Sequence, residues 1–189
     1  MCRVTTKIYN GIALSYLEKG AIKVHYPFFV KLNYQSKIAA QATDFFGLNY
    51  YSHSHLKFKF DSYEFFENKF FSHDTMTDMP YVIYPEGLYR AIKKAEKIKR
   101  PIIITENGIA DSKDDRRGLF IEKYIYAMNK AMQEGINVEG YFYWSLMDNF
   151  EWAEGYDMRF GLYEVNFKNQ KRTLRKGSQK FIDIINDSK

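Results

Sequence analysis

The sequence predicts an α/β protein built on a parallel β-sheet. Two helix-and-strand units follow one another along the chain, each combining an amphipathic helical stripe with a short apolar run. Polar residues that can carry chemistry then follow three of the predicted strands. The chain has 189 residues, of which 46% are hydrophobic and 27% are charged. This length and composition fit one globular domain, or part of a larger one, and exclude disordered and collagen-like proteins.

The N-terminal third predicts a helix, a strand and a long loop. Lys7 to Lys19 carries an irregular helical stripe of apolar residues, and Gly20 is placed to end it. Pro27 to Val30 predicts a loop or short turn. Asp44 to Tyr51 is an almost continuous apolar run and predicts a strand that is buried on both faces. Ser52 to Tyr84 shows no sustained period, and loops longer than about 12–15 residues are usually functional, so we expect a functional loop.

Two helix-and-strand units follow. Pro85 starts the first helix, and the strand Ile102 to Thr105 comes after it. The apolar stripe of this helix has four members: Leu88, Ile92, Ala95 and Ile98. The second helix ends at Gly135, ahead of the strand Val138 to Trp144. Its predicted inner stripe consists of Ile121, Ile125, Met128 and Met132.

The C-terminal part predicts a hairpin and a helix. Gly161 to Arg172 alternates around Lys168 to Gln170, as expected for two antiparallel strands and their turn. Gly177 to Ile185 predicts a short closing helix. No internal repeat or linker divides the chain, so residues 1–189 are expected to form a single segment.

Charge and cysteine content exclude several function classes. The 28 Lys and Arg residues exceed the 23 Asp and Glu residues, but they form no basic run, which argues against nucleic-acid binding. Cys2 is the only cysteine, so an internal disulfide is impossible. No run of 18 apolar residues and no signal-peptide pattern is present, which predicts a cytoplasmic protein without membrane contact.

Polar side chains follow the ends of three predicted strands. Asn49 and Tyr51 come at the end of the first, Glu106 at the end of the second and Trp144 at the end of the third. In a (β/α)₈ barrel the active site lies at the C-terminal face and is assembled from the ends of different strands. The sequence therefore predicts a site of this type.

The stretch Tyr143 to Trp152 combines aromatic and acidic residues. It contains both tryptophans of the chain, Trp144 and Trp152, together with Asp148 and Glu151. Flat rings suit the C–H faces of sugars, and carboxylates accept hydrogen bonds from sugar hydroxyls. This combination indicates carbohydrate chemistry.

Two other groups of polar residues are weaker candidates for a functional site. His53 and His55 lack a third ligand nearby in the sequence, which favours a pair of loop histidines over a metal site. The acidic residues Asp111, Asp114 and Asp115 precede two arginines, which favours a solvated helix start over a cation site. No cofactor or metal is therefore expected.

Three motifs resemble glycoside hydrolase family 1, the retaining β-glucosidases and their relatives. Ile104 to Gly108 resembles the nucleophile motif, Asp44 to Tyr51 the sixth barrel strand, and Tyr143 to Leu162 the eighth strand and its following loop. The resemblance covers the chain from about Asn10 onward. It implies a partial TIM (β/α)₈ barrel, the C-terminal portion, with strands resembling 6 to 8 and their helices.

The resemblance also implies roles for seven residues. Glu106 matches the nucleophile, Tyr51 the residue that hydrogen-bonds it, and Asn49 the strand-six asparagine near the same subsite. Four residues match the sugar-binding set: Trp144 as the floor, Glu151 and Trp152 as hydroxyl partners, and Phe160 as the inner wall. Because the 6-phosphoglycosidases of the family replace the Glu-Trp pair, its presence favours unphosphorylated β-glycosides as ligands.

The resemblance is incomplete in one respect. The family's acid/base glutamate lies in an Asn-Glu-Pro motif, but this chain has no Asn-Glu dipeptide, nor the family's His-Trp pair. A (β/α)₈ barrel takes about 250 residues, so we expect a C-terminal fragment or truncated reading frame with exposed sheet edges. Since a positioned acid contributes about 10²–10⁴-fold to rate, negligible glycosidase activity of the chain alone is expected.

Three alternatives remain open at the level of sequence. The chain is part of a β-glycosidase, working with a separately encoded N-terminal barrel half or assigned to that class by homology alone. In the second alternative the chain is a sugar-binding module without turnover. In the third it is a decayed gene product. The expected ligand is a β-glycoside or a sugar.

Overall fold

The computed structural model describes residues 10–26, 30–36, 42–59 and 66–188. Its first elements are a helix, α1 (Ile12–Lys19), and an antiparallel hairpin of β1 (Ala21–Tyr26) and β2 (Val30–Gln35). Gly20 ends α1 with a left-handed φ of 67°, a conformation that glycine adopts without strain. The predicted helix end is therefore confirmed.

The hairpin was not predicted from the sequence. Val30 begins β2, so its assignment to a loop was wrong, while residues 27–29 of the same prediction lie outside the described residues. Residues 7–9 of the predicted helix also lie outside them. Neither segment has a clear strand pattern by itself. The two strands are stabilised by pairing with each other, with Val24 opposite Leu32.

The next strand, β3 (Phe46–Asn49), is shorter than the predicted run and is not buried on both faces. Phe46 and Leu48 pack against the hydrophobic core, whereas Gly47 and Asn49 on the opposite face are exposed. The two-sided prediction was wrong because helices cover only one face of this strand among the described residues.

The long predicted loop contains regular structure. Two short strands, β4 (Leu56–Phe58) and β5 (Phe66–Asn68), pair in antiparallel fashion. Met76 and Val82 form a further isolated bridge. The connection after β3 is thus partly a hairpin that the aperiodic sequence did not reveal.

Two helix-and-strand units complete the central sheet, as predicted. They are α2 (Pro85–Ala95) with β6 (Ile102–Asn107), and α3 (Arg117–Gln133) with β7 (Val138–Tyr143). β3, β6 and β7 run parallel, with β6 in the middle. This order confirms the predicted parallel sheet and brings the C-terminal ends of all three strands to one edge.

The core lies between this sheet and the two helices on one of its faces. Leu88 and Ile92 of α2 and Ile104 of β6 are fully buried in it. The inner stripe of α3 differs from the predicted one, because Met132 is 41% exposed. The core residues of α3 are Phe120, Ile121, Tyr124 and Ala131, with the predicted Ile125 and Met128 packed against them.

The C-terminal elements agree with the prediction. β8 (Tyr163–Asn166) and β9 (Lys171–Leu174) form the hairpin, and Gln170 in its turn has a φ of 62°. α4 (Gln179–Asp187) follows. No helix among the described residues is long and apolar enough to cross a bilayer.

The other face of the central sheet is open. Within the described part of the chain, β3 and β7 each pair with β6 alone, so each leaves one edge without a neighbouring strand. Phe142 of β7 is 62% exposed on this face. The predicted sheet edges are therefore present.

Candidate functional site

Glu106 and Tyr51 meet at the edge where β3 and β6 end. The Tyr51 hydroxyl donates a hydrogen bond of 2.8 Å to Glu106 Oε2. The Tyr50 backbone N–H donates to the Glu106 carbonyl at 2.9 Å, which ties the two strand ends together. Burial, and then the bond to Glu106, raise the pKa of Tyr51 far above its usual value. The phenol therefore stays protonated and remains a donor to the carboxylate.

Asn49 lies beside Glu106 on the neighbouring strand. The two residues are register partners of β3 and β6. The Thr105 hydroxyl donates a 2.6 Å bond to Asn49 Oδ1. This bond orients the amide, and its NH₂ group keeps its donors for a ligand at the exposed edge.

Trp144 follows the last residue of β7 and is held by backbone contacts. The backbone N–H of Trp144 donates a hydrogen bond of 2.9 Å to the Asn107 carbonyl. A Cβ on Gly108 would collide with the Trp144 carbonyl. Only glycine permits this close approach between the two strand ends, so Gly108 of the predicted motif serves backbone packing.

Glu151 and Trp152 lie in the loop after β7. Glu151 is half-buried, and its Oε2 atom has no hydrogen-bond partner among the described residues. Its negative charge contributes to the raised pKa of Tyr51, after burial and Glu106. Trp152 is 81% exposed. A buried acceptor beside an exposed indole is a polar and aromatic pair that a ligand can satisfy.

Two rings pack on Tyr51. Phe160 is 3% exposed and meets Tyr51 edge to face, with ring centroids 6.2 Å apart. Tyr81 lies on Tyr51 with centroids 6.0 Å apart. Burial, then the charge of Glu151, raises the pKa of Tyr81. Sequence reasoning missed Tyr81, since nothing in its aperiodic segment sets it apart from the neighbouring tyrosines.

The structure thus gathers most of the predicted site residues. Contacts or electrostatic effects connect Tyr51 with Glu106, Glu151 and Phe160, and Asn49 is the strand neighbour of Glu106. Trp144 joins them through the backbone of the β6 end. For Trp152 the structure gives an exposed position in the same loop as Glu151.

Asp148 supports the fold. The aromatic and acidic pattern of the sequence did not distinguish it from Glu151, because both are acidic residues of one stretch. Asp148 is 3% exposed, and its carboxylate accepts bonds from the backbone N–H groups of Gly161 and Val165. Arg175 donates a further bond of 2.8 Å. Arg159 donates a fourth, longer bond of 3.5 Å. A carboxylate with four donors holds the loop and β8 together and is not available to a sugar.

Within the acidic cluster at the start of α3, Asp111 is buried, so the expected solvated helix start was wrong for this residue, whereas Asp115 is exposed as expected. Asp111 is fully buried, and its Oδ2 accepts bonds of 2.9 Å from the backbone N–H groups of Arg116 and Arg117. Burial alone would raise the pKa of Asp111, but these N–H groups and the Arg116 guanidinium lower it. The helix-start role itself is confirmed.

Arg117 connects the segments that surround the site. Its fully buried guanidinium donates to the carbonyls of Ile109, Asp111, Arg159 and Phe160, and to the Tyr143 hydroxyl. The segment after β6, the end of β7 and the segment that carries Phe160 are therefore fixed to one another. This role could not be predicted from the sequence, because the arginine lies in a strongly charged run.

The predicted pair of loop histidines lies in the segment between β3 and β4. The Nε2 atoms of His53 and His55 are 2.7 Å apart. Across the described ranges, no group of three or more His, Cys, Asp or Glu side chains is arranged to hold a metal ion. His53 also lines a cavity of about 310 Å³ that reaches Tyr51 and Tyr81.

Comparison with known proteins identifies similar chains. Residues 7–189 match the sequence model of glycosyl hydrolase family 1. The chain is 32% identical to β-glucosidase A of Acetivibrio thermocellus, in an alignment that covers 95% of this chain and 42% of the relative.

Two solved structures are similar in fold. The β-glycosidase from Pyrococcus horikoshii superposes with a TM-score of 0.80 and 36% identity, covering 96% of this chain and 42% of that one. The β-glucosidase from Thermotoga maritima in complex with noeuromycin superposes with a TM-score of 0.69 and 37% identity. This match covers 76% of this chain and 34% of that one. These matches confirm the expected fold class, part of a (β/α)₈ barrel. The chain spans between 34% and 42% of the length of these three relatives.

Proposed function

Because the chain belongs to glycosyl hydrolase family 1, we propose that it takes part in the retaining hydrolysis of β-glycosides, with Glu106 as the nucleophile. The observation that carries this proposal is the 2.8 Å bond from Tyr51 to Glu106. In retaining hydrolysis one carboxylate attacks the anomeric carbon while a second carboxyl group protonates the leaving oxygen. A donor that fixes one oxygen of Glu106 leaves the other oxygen to attack.

The same proposal assigns the sugar-binding roles. Glu151 accepts bonds from ring hydroxyls, which would satisfy the buried oxygen that lacks a partner among the described residues. Trp152 donates through its indole nitrogen, and Trp144 forms the floor. Asn49 donates through its amide NH₂ group, and Phe160 forms the inner wall that also supports Tyr51. The Glu-Trp pair favours unphosphorylated β-glycosides.

The acid that would complete this site is proposed to come from an N-terminal barrel half. The open edges of β3 and β7 are the positions where further barrel strands would pair, so an N-terminal barrel half is the partner that fits. Without it, we expect the 189 residues alone to hydrolyse unactivated β-glucosides at a negligible rate.

A substrate that needs no acid tests the nucleophile separately. Dinitrophenolate leaves without protonation, so a dinitrophenyl fluorodeoxyglucoside can glycosylate a carboxylate that has no acid partner, and the fluorine slows breakdown of the product. We expect mass spectrometry to find one fluorodeoxyglucosyl group on the peptide that contains Glu106. Glu106→Gln should abolish the label, and Glu164→Gln, which changes an exposed glutamate of β8, should keep it.

Two results would contradict this assignment. One is a label on another residue that persists in Glu106→Gln. The other is absence of the label in a chain that binds glucose, and this result would favour the second candidate, a sugar-binding module without turnover. That candidate rests on Glu151 and Trp152, so glucose binding, followed through the fluorescence of the two tryptophans, should disappear in Glu151→Gln.

The partner half is tested by co-expression. The chain is produced together with a polypeptide that supplies the remaining barrel strands and an acid/base glutamate. We expect hydrolysis of an aryl β-glucoside that neither polypeptide shows alone and that Glu106→Gln abolishes. A stable complex that binds glucose but stays inactive would argue against the catalytic role.

A further inference from the structure

His53 and His55 form a compact imidazole pair outside the proposed sugar site. They are two residues apart, and the contact between their rings shows that both side chains point to the same side. The rings are nearly perpendicular, at 85°, with centroids 4.5 Å apart and the two Nε2 atoms at 2.7 Å. One hydrogen at most lies between these nitrogens, so at least one presents a lone pair to the other.

The backbone on both sides of the pair is anchored. The Ser52 hydroxyl donates to the Val82 carbonyl at 2.8 Å and accepts from the Val82 N–H at 2.9 Å. The His55 carbonyl accepts a bond of 2.7 Å from the N–H of Lys69. The positions of the two histidines are therefore set by the fold before any ligand binds.

The outer face of each ring is supported as well. The His53 ring packs on Tyr84 with centroids 4.2 Å apart, and His55 meets Phe71 edge to face at 4.9 Å. Asp74 holds this arrangement, because its Oδ2 accepts the Phe71 N–H at 2.7 Å.

From this geometry we propose that His53 and His55 form an open two-histidine site for a divalent transition metal such as Ni²⁺, Zn²⁺ or Cu²⁺. Imidazole nitrogens suit these ions, with metal–nitrogen distances of about 2.0–2.1 Å. A tetrahedral angle at the ion then separates the nitrogens by about 3.3 Å, so the present pair needs to part by only about 0.6 Å.

The remaining ligands of the ion would be water. His55 is exposed, and His53 lines the cavity of about 310 Å³, so solvent reaches the pair from both sides. Two protein ligands with open positions make an exchangeable site, not a structural one.

Ni²⁺ alone is the probe for this site. Isothermal titration uses the full untagged chain carrying Cys2→Ser, so that the thiol does not compete. We expect one bound Ni²⁺ per chain, and a loss of affinity of about tenfold or more in both His53→Gln and His55→Gln. His25→Gln is the matched control, because this histidine lies on β1 and is exposed, and it should bind like the parent.

His55→Gln decides the outcome if His53→Gln fails to fold, since His55 is exposed and its removal leaves the Tyr84 packing intact. Binding of Cu²⁺ followed by electron paramagnetic resonance gives a second measure, with coupling to two imidazole nitrogens expected in the parent chain. Equal Ni²⁺ affinity in His55→Gln and the parent would overturn the proposal. So would an equal loss in His25→Gln, or saturation that requires millimolar Ni²⁺.

Discussion

The Tyr51 hydroxyl owes its role as donor to its surroundings. Phe160 and Tyr81 pack on its ring, and burial keeps the hydroxyl protonated. Tyr51→Phe removes one charge-assisted hydrogen bond, which is typically worth about 1.5–3 kcal/mol. We expect the rate of Glu106 labelling by the fluorodeoxyglucoside to fall by about 10- to 100-fold, as measured by mass spectrometry over time.

Tyr126→Phe is the control for this prediction. The chemical change is the same, but Tyr126 is 70% exposed on α3. Its labelling rate should equal that of the parent. An unchanged rate in Tyr51→Phe, in a chain with a normal circular dichroism spectrum, would show that the hydroxyl does not serve the nucleophile.

Single residues also show how far the site could be predicted from the sequence. The shared location of Glu106, Tyr51 and Asn49 could be predicted, because strand ends in a parallel sheet meet at one edge. Asp148 and Glu151 have the same charge and lie three residues apart. Asp148 accepts hydrogen bonds from several donors, whereas Glu151 keeps an oxygen without a partner among the described residues. That difference depends on Arg175, which is distant in sequence, so local reasoning could not find it.

At the scale of elements, the start of α3 depends on Asp111. Its pKa is lowered in the folded chain, so the charged form stabilises the fold above the ordinary aspartate pKa of about 4, and this stabilisation is lost as the pH falls below it. Asp111→Asn should therefore lower the urea midpoint at pH 7, with a difference from the parent that shrinks toward pH 3. A difference that is the same at both pH values would contradict this linkage.

Arg117 joins three elements and should tolerate substitution poorly. Lysine keeps the charge but cannot reach the four carbonyls and the Tyr143 hydroxyl that the planar guanidinium contacts. Several buried acceptors would lose their donors, at about 1–3 kcal/mol each. We expect Arg117→Lys to lower the free energy of unfolding by about 3 kcal/mol or more, measured by urea denaturation.

Arg90→Lys makes the same exchange on the surface of α2. Arg90 pairs with Glu86 one turn away, and both are exposed. This variant should unfold at the same urea concentration as the parent. Similar losses in both variants would mean that the contacts of Arg117 carry no special weight.

Some elements could be predicted from the sequence and others could not. α2 and its strand have a regular apolar period, with Pro85 at the first turn, and these signals are local. The predicted stripe of α3 was wrong at its C-terminal end, because Ala131 and not Met132 lies in the core there, and it also missed Phe120 and Tyr124, whose rings stack at 4.0 Å. The β1 and β2 hairpin depends on pairing, which no single segment encodes.

At the scale of the whole molecule, the open face of the sheet should promote association. In the part of the chain that the structure describes, Phe142 exposes apolar surface, and the outer edges of β3 and β7 expose unpaired backbone groups. We expect light scattering to show association that increases with protein concentration. Phe142→Glu should shift the chain toward the monomer.

The control is Leu119→Glu. Leu119 is 56% exposed, but it lies on the outer surface of α3 away from the open face. Its association should match that of the parent. If both variants reduce association equally, added charge and not the location of Phe142 is responsible.

The place of β6 in the middle of the sheet has a consequence for biosynthesis. β7 and α3 follow β6 closely, so this unit closes a short loop, whereas β3 must wait for a partner that comes much later in the chain. During translation, β3 leaves the ribosome well before β6 has been made. Its apolar residues then stay without their native neighbours, and this is the interval in which a chaperone would have the most to protect.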